Sequence, residues 1–221
     1  MSATGGNKAI IAAFLANMGI AITKFIAWGF SGSSSMLAEG VHSVADSGNQ
    51  LLLLLGGKRA QKKADKEHPF GYGRVRYVYA FVVAIVLFSI GGVFSVYEGI
   101  SKIQHPHPLE MWWLPLLVLA IAIVLESFSL RKAIRESRPH KGDSSWFQFI
   151  RQSKAPELPV VLLEDIAALI GLVIAFFGVG LTVLTGNSLF DGISTVAIGV
   201  LLVGVAVIIG IEVKSLLVGE G

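Results

Sequence analysis

The chain has no cysteine among its 221 residues. Disulfides and thiolate metal sites are therefore excluded, and any metal site must use His, Asp, Glu, Asn or backbone oxygen. Charge is scarce as well: 15% of the residues are Asp, Glu, Lys or Arg, against about 25% in soluble domains. Met1 to Asn7 is short and polar and carries no cleavable signal pattern, so the first apolar run is expected to stay in the protein as a membrane helix. The apolar runs leave no room for a sizeable soluble domain.

What is present is hydrophobic. Apolar residues make up 53% of the chain and the mean hydropathy is +0.70. Several apolar runs approach or exceed the roughly 20 residues that span a bilayer. The expected fold is all-α, a polytopic membrane protein forming one transmembrane domain over residues 1–221. Six spans are expected at about 8–30, 35–57, 76–100, 111–134, 158–184 and 189–216. Three links are short: residues 31–34, 102–110 and 185–188.

The other two links are long and basic. Lys58, Arg59, Lys62, Lys63, Lys66, Arg74 and Arg76 lie between spans 2 and 3. Arg131, Lys132, Arg135, Arg138, Lys141, Arg151 and Lys154 lie between spans 4 and 5. These are fourteen of the eighteen Lys and Arg residues. Lys8 and Lys214 fall on the same side, whereas the opposite side has Lys102 alone. The positive-inside rule places both termini and both basic links in the cytosol. The net charge of +3 thus reflects topology, and no nucleic-acid partner is expected. Trp112 and Trp113 mark the outer interface, and Trp146 suits an interfacial position in the second basic link. Gly199, Gly204 and Gly210 in span 6, and Gly171, Gly178 and Gly180 in span 5, read as packing positions.

Against this background the polar residues within spans stand out. His42 and Asp46 are four residues apart, so they share one helix face about 40° and 6 Å apart. Asn49 stays near that face. Span 5 carries Glu164 and Asp165, about 100° apart around the helix. Ionisable groups at membrane depth are costly and are functional by default. Asp191 follows a loop and reads first as an N-terminal cap of span 6. Glu98, Glu126 and Glu212 read as interfacial. Lys24 shares a face of span 1 with Asn17 and either snorkels or pairs with an acid in the bundle.

Imidazole with carboxylate suits Zn²⁺, Mn²⁺, Fe²⁺ or Co²⁺. Binding needs neutral His and ionised Asp, so metal competes with protons. His titrates near physiological pH, which suits metal–proton exchange. An intramembrane metalloenzyme would need an open metal position and a general base. No His-Glu-x-x-His signature is present, so the chain reads as no enzyme.

Four features together resemble the cation diffusion facilitator family of divalent-metal transporters. They are the six spans with cytosolic ends, Ser35-Met36-Leu37-Ala38-Glu39-Gly40-Val41-His42-Ser43-Val44-Ala45-Asp46, His68-Pro69-Phe70-Gly71-Tyr72-Gly73-Arg74, and the acidic patch of span 5 with Asp191 heading span 6. The Leu-Leu-Glu-Asp form of span 5 is similar to the zinc-transporter-9-like branch. The resemblance implies a secondary transporter exporting a divalent cation, Zn²⁺ first, by exchange with protons, with no cofactor. It implies a transport site of His42, Asp46 and Asp165. The usual fourth position is Val161, which cannot bind metal, leaving Glu164, Asn49 or water to complete the set. It implies a second ion site in the span 2–3 link, where Asp65 and His68 match two ligands and Tyr72 stands at the third. A homodimer in a bacterial cytoplasmic membrane is the expected setting. The family's cytosolic C-terminal domain is absent from this sequence. A non-transporting regulatory subunit is the alternative that the Val161 gap keeps open.

Overall fold

The computed structural model describes residues 3–153 and 157–218. Lys154 of the second basic link, with Met1 and Ser2, lies outside them. Among the described residues the chain is helical without strands: α1 (Ala3–Ser31), α2 (Ser34–Ala60), α3 (Val75–Val86), a π-helical stretch (Leu87–Val93), α4 (Phe94–Gln104), α5 (Trp113–Lys141), α6 (Trp146–Gln152), α7 (Glu157–Thr185) and α8 (Leu189–Val218). Lipid offers backbone groups no partner, so long apolar runs close their hydrogen bonds within helices. Four rods are long and apolar enough to cross a membrane: Val75–Gln104, Trp113–Lys141, Glu157–Thr185 and Leu189–Val218. Helices α1 and α2 occupy the windows expected for spans 1 and 2, and polar residues are spread along α2 from Ser34 to Gln50.

Three departures from the sequence reading have local causes. The third rod is not one uniform α-helix; its middle widens into the seven-residue π stretch containing Gly91 and Gly92. The second basic link contains α6, which is opened by a capping box. Gln148 N–H donates to the Ser145 hydroxyl at 3.1 Å, and Ser145 N–H donates to the Gln148 side chain at 3.0 Å. Helix α5 runs on through its polar Arg131–Lys141 tail, seven residues past the expected end.

A fourth departure concerns Asp191. It caps a helix, but not its own. Helix α8 begins at Leu189, and the fully buried Asp191 carboxylate reaches across to the start of α2. It accepts from Ser34 N–H at 2.8 Å, Ser35 N–H at 3.2 Å and the Ser33 hydroxyl at 2.9 Å, and also from the Ser35 hydroxyl. Orphan amide donors at a helix start, plus its positive dipole end, favour such an anion. Gly32, at φ +65°, makes the reversal between α1 and α2, and its carbonyl accepts from Lys102 Nζ at 2.7 Å. Glu98, expected to be interfacial, accepts from the Ser34 hydroxyl at 2.9 Å. A saturated polar knot therefore closes the end of the bundle opposite the basic links.

Helix α2 is central, packing on α1, α3, the π stretch, α4, α7 and α8. The third rod meets α8 along a glycine seam. A Cβ on Gly99 would sit 2.6 Å from Val196 N and 2.8 Å from Gly192 O; one on Gly199 would sit 2.6 Å from Val96 N and 2.9 Å from Gly92 O. The packing reading thus fits Gly199, as well as Gly171 and Gly178, whose Cβ positions are also filled by neighbours. It does not fit Gly180, Gly204 or Gly210, which have nothing within 4 Å. Gly99→Ala is expected to destabilise the folded chain by about 1–3 kcal/mol through overpacking. Gly204→Ala should leave it unchanged or slightly stabilised. Thermal unfolding of the two variants in detergent checks the contrast.

Candidate functional site

The polar face of α2 sits at mid-bundle. His42 is 1% exposed, and its Nε2 lies 3.3 Å from Asp46 Oδ2. The approach does not make a hydrogen bond: both ring nitrogens of His42 and Oδ1 of Asp46 are buried without a hydrogen-bond partner among the described residues. The ring lies against the π stretch, where a Cβ on Gly91 would be 3.8 Å from His42 Nδ1. Such widened helical turns are frequent at functional sites. Buried polar atoms are rarely left unpaired, so three on one residue pair mark a place built for something else.

The two acids of α7 point in different directions, as their 100° separation requires. Glu164 faces α2 and accepts from Asn49 Nδ2 at 2.7 Å. Asn49 Oδ1 is left unpartnered. Asp165 faces α5 and accepts from the Ser129 hydroxyl at 3.1 Å. The acid that reaches the His42–Asp46 helix is therefore Glu164. Among the described residues no three His, Asp or Glu side chains are gathered as a ready metal cluster. His42 comes together with Asp46, and Asn49 with Glu164, while Asp165 stands apart from both pairs.

Asp165 instead lines a cavity of about 700 Å³. Its wall includes Val161, Gln50 and Leu54, and its rim includes Lys58, Lys132 and Glu136. Those rim residues lie at the basic-link end of α2 and α5, so the cavity reaches that end of the bundle. Val161 offers this space an apolar surface where the resemblance implied a ligand.

Two charged residues complete the interior. Lys24, 4% exposed, donates to Glu39 Oε2 at 2.9 Å and to the Ser43 hydroxyl at 2.8 Å. Of the two roles left open for Lys24, pairing inside the bundle is the one observed. Glu39 was not singled out by sequence reasoning. Its signal was its spacing, three residues before His42 and hence on the same face.

The cation efflux transmembrane domain family matches residues 10–218. The chain belongs to the cation diffusion facilitator family. It is 38% identical over 200 residues to the proton-coupled zinc antiporter SLC30A9, mitochondrial, of Xenopus laevis, covering 90% of this chain and 36% of that protein. The human protein of the same name is 35% identical over 201 residues, covering 90% and 35%. Zinc transporter ZitB of Yersinia pestis is 28% identical over 201 residues, covering 91% and 59%. These similarities place the chain in the zinc-transporter-9-like branch, within a family of transporters rather than enzymes. The chain spans about a third of the length of the SLC30A9 relatives. Multi-pass membrane residence stands. The bacterial cytoplasmic membrane expected from sequence has no support beside relatives with mitochondrial names.

In this family member the α2–α3 link is a tight knot. Asp65 Oδ1 accepts from His68 N–H at 2.8 Å and Glu67 N–H at 3.0 Å, and Oδ2 accepts from the Tyr72 hydroxyl at 2.7 Å. The His68 and Tyr72 rings stack with centroids 4.1 Å apart. His68 Nδ1 is 3.6 Å from Asp65. Asp65 and His68 are thus brought together, but both oxygens of Asp65 are engaged by donors. A metal ion there would compete with the Tyr72 hydroxyl and the backbone donors for the Asp65 oxygens.

The Tyr72 hydroxyl, followed by the backbone donors, holds the Asp65 carboxyl below its ordinary value of 3.8. The bonded link is therefore complete above that ordinary value and is lost as pH falls through the lowered one. Tyr72→Phe is expected to raise the Asp65 pKa toward 3.8, so that the link loosens at a higher pH. Carboxyl NMR titration measures this, and an unchanged Asp65 titration contradicts the assignment.

Proposed function

We propose that this chain is the membrane part of a transporter that moves a divalent cation, zinc first, away from the side of its basic links in exchange for protons. One observation carries the reading: two imidazole nitrogens and a carboxylate oxygen of His42 and Asp46 are buried, adjacent and unpartnered. A divalent cation satisfies the carboxylate and the one ring nitrogen of neutral His42 that has a free lone pair, and a proton competes for the same two groups. The names of the relatives, zinc antiporter and zinc transporter, support the same cargo.

On this reading α1 and α2 join the four apolar rods as membrane spans, giving six. An ion enters the cavity from the basic-link end and meets Asp165 on its wall. It then passes to His42 and Asp46, where Asn49 and Glu164 supply oxygens from the next turn and the facing helix. Protonation of His42 and of the carboxylates releases it on the other side. The helices rock around the site, so that it faces one side at a time. Val161 lowers the ligand count on α7 and shifts coordination toward oxygen, which leaves Mn²⁺ and Fe²⁺ as weaker cargoes.

The purified chain in liposomes with an imposed pH gradient tests this. Zinc flux is expected, and His42→Ala or Asp46→Asn should cut the initial rate on the order of 100-fold, at the upper end of what even outer-shell changes cost at metal sites. Asp165→Asn should slow flux while sparing equilibrium zinc binding more than Asp46→Asn does. Parent-like flux in the His42→Ala, Asp46→Ala double variant sinks the site assignment.

A further inference from the structure

The Lys24–Glu39 pair lies between the His42–Asp46 site and the end of the bundle that the cavity does not reach. Helix α2 starts at Ser34, in the Asp191 knot, and runs toward the basic links. Glu39 is therefore about 4.5 Å nearer the knot than His42 and about 10 Å nearer than Asp46. The carboxylate is half-satisfied. Oε2 takes the Lys24 ammonium, while Oε1 has no hydrogen-bond partner and is fully buried. That free oxygen presses against α7 at Gly171, where a Cβ would come within 2.8 Å of it. Ile198 of α8, also fully buried, lies 3.8 Å from the same Gly171 Cβ position. At this level α1, α2, α7 and α8 therefore close on one another around a single ion pair.

The surrounding charges give the pair a role beyond packing. Asp46 feels three carboxylates, Glu164, Glu126 and Glu39, and one cation, Lys24. Lys24 is thus the protein's own counter-ion for an acidic interior. A divalent cation at His42–Asp46 would add positive charge to the same interior and repel the ammonium, and at short range in a poorly screened core that repulsion is strong. Buried pairs are unstable once one partner is lost. We propose that Lys24 and Glu39 form the gate on the side away from the basic links: Lys24 holds it shut over an empty site, a bound cation loosens it, and the free Glu39 oxygen takes the cation as it leaves. The proposal rests on the transport reading of His42 and Asp46.

The test uses the absence of native thiols. A thiol introduced by Ile198→Cys reports access through the gate, and one introduced by Leu54→Cys reports access through the cavity. An impermeant thiol reagent is applied to the face away from the basic links for the first, and to the basic-link face for the second. Without metal, Lys24→Met is expected to raise labelling at position 198 at least tenfold and to lower it at position 54, because alternating access opens one side as it closes the other. Glu39→Gln, which keeps the shape, should do the same if Lys24→Met folds poorly. Exchanging the two charges, Lys24→Glu with Glu39→Lys, should restore the parent rates.

A merely structural pair would loosen the fold and raise labelling at both positions, and that result overturns the gate. Parent-like labelling in both single variants overturns it too. Zinc should accelerate labelling at position 198 in the parent and not in Asp46→Asn. Acceleration that persists in Asp46→Asn fails the His42–Asp46 site while leaving the metal-free gate results intact.

Discussion

Helix α2 has to keep Glu39, His42, Asp46 and Asn49 out of lipid, and the arrangement of the bundle follows from that. A charged or strongly polar group left in hydrocarbon costs several kcal/mol. The helix is therefore surrounded, and its neighbours each bring something to its polar face. Helix α1 brings Lys24, the π stretch brings the bare backbone at Gly91, α7 brings Glu164, and α8 brings Asp191 to the helix start. The more apolar helices can tolerate lipid on one side, and many of their large side chains are exposed.

The polar groups divide into two kinds by how fully they are satisfied. Asp191 and Asp65 have donors on both oxygens, and both hold a helix start or a link in shape. His42, Asp46, Glu39 and Asn49 keep atoms without partners in the middle of the bundle. The same chemistry thus serves as mortar at the ends and is left unsatisfied in between. Residue type alone does not separate the two uses; the count of satisfied lone pairs does.

That division explains what the sequence could reveal. Each expected span coincides with a helix to within a few residues at most ends, because the thickness of a bilayer sets the length of an apolar run. His42 and Asp46 were legible because i, i+4 spacing fixes their proximity on any helix. Contacts between helices were not legible. That Asp191 caps α2 rather than α8, that Lys24 meets Glu39, and that Glu164 rather than Asp165 faces α2 all depend on the rotation and tilt of packed helices. The π stretch contains Gly91 and Gly92, which lie against α8 neighbours, and no apolar periodicity encodes it. Helix α6 is signalled by the capping-box spacing Ser145-x-x-Gln148, but at seven residues it is too short for an apolar period to show.

The glycine seam limits which helices can move. Where backbone lies on backbone at Gly92, Gly99, Gly192 and Gly199, there is no flexible side chain to absorb sliding. The third rod and α8 are thus locked as one stator, and the Asp191 cap bolts the start of α2 to it. On the proposed transport reading, movement has to come from the helices outside that stator, and α1 meets the polar face of α2 through a flexible lysine side chain as well as by packing. A lysine stem can bend or extend to follow such a movement, which backbone lying on backbone cannot.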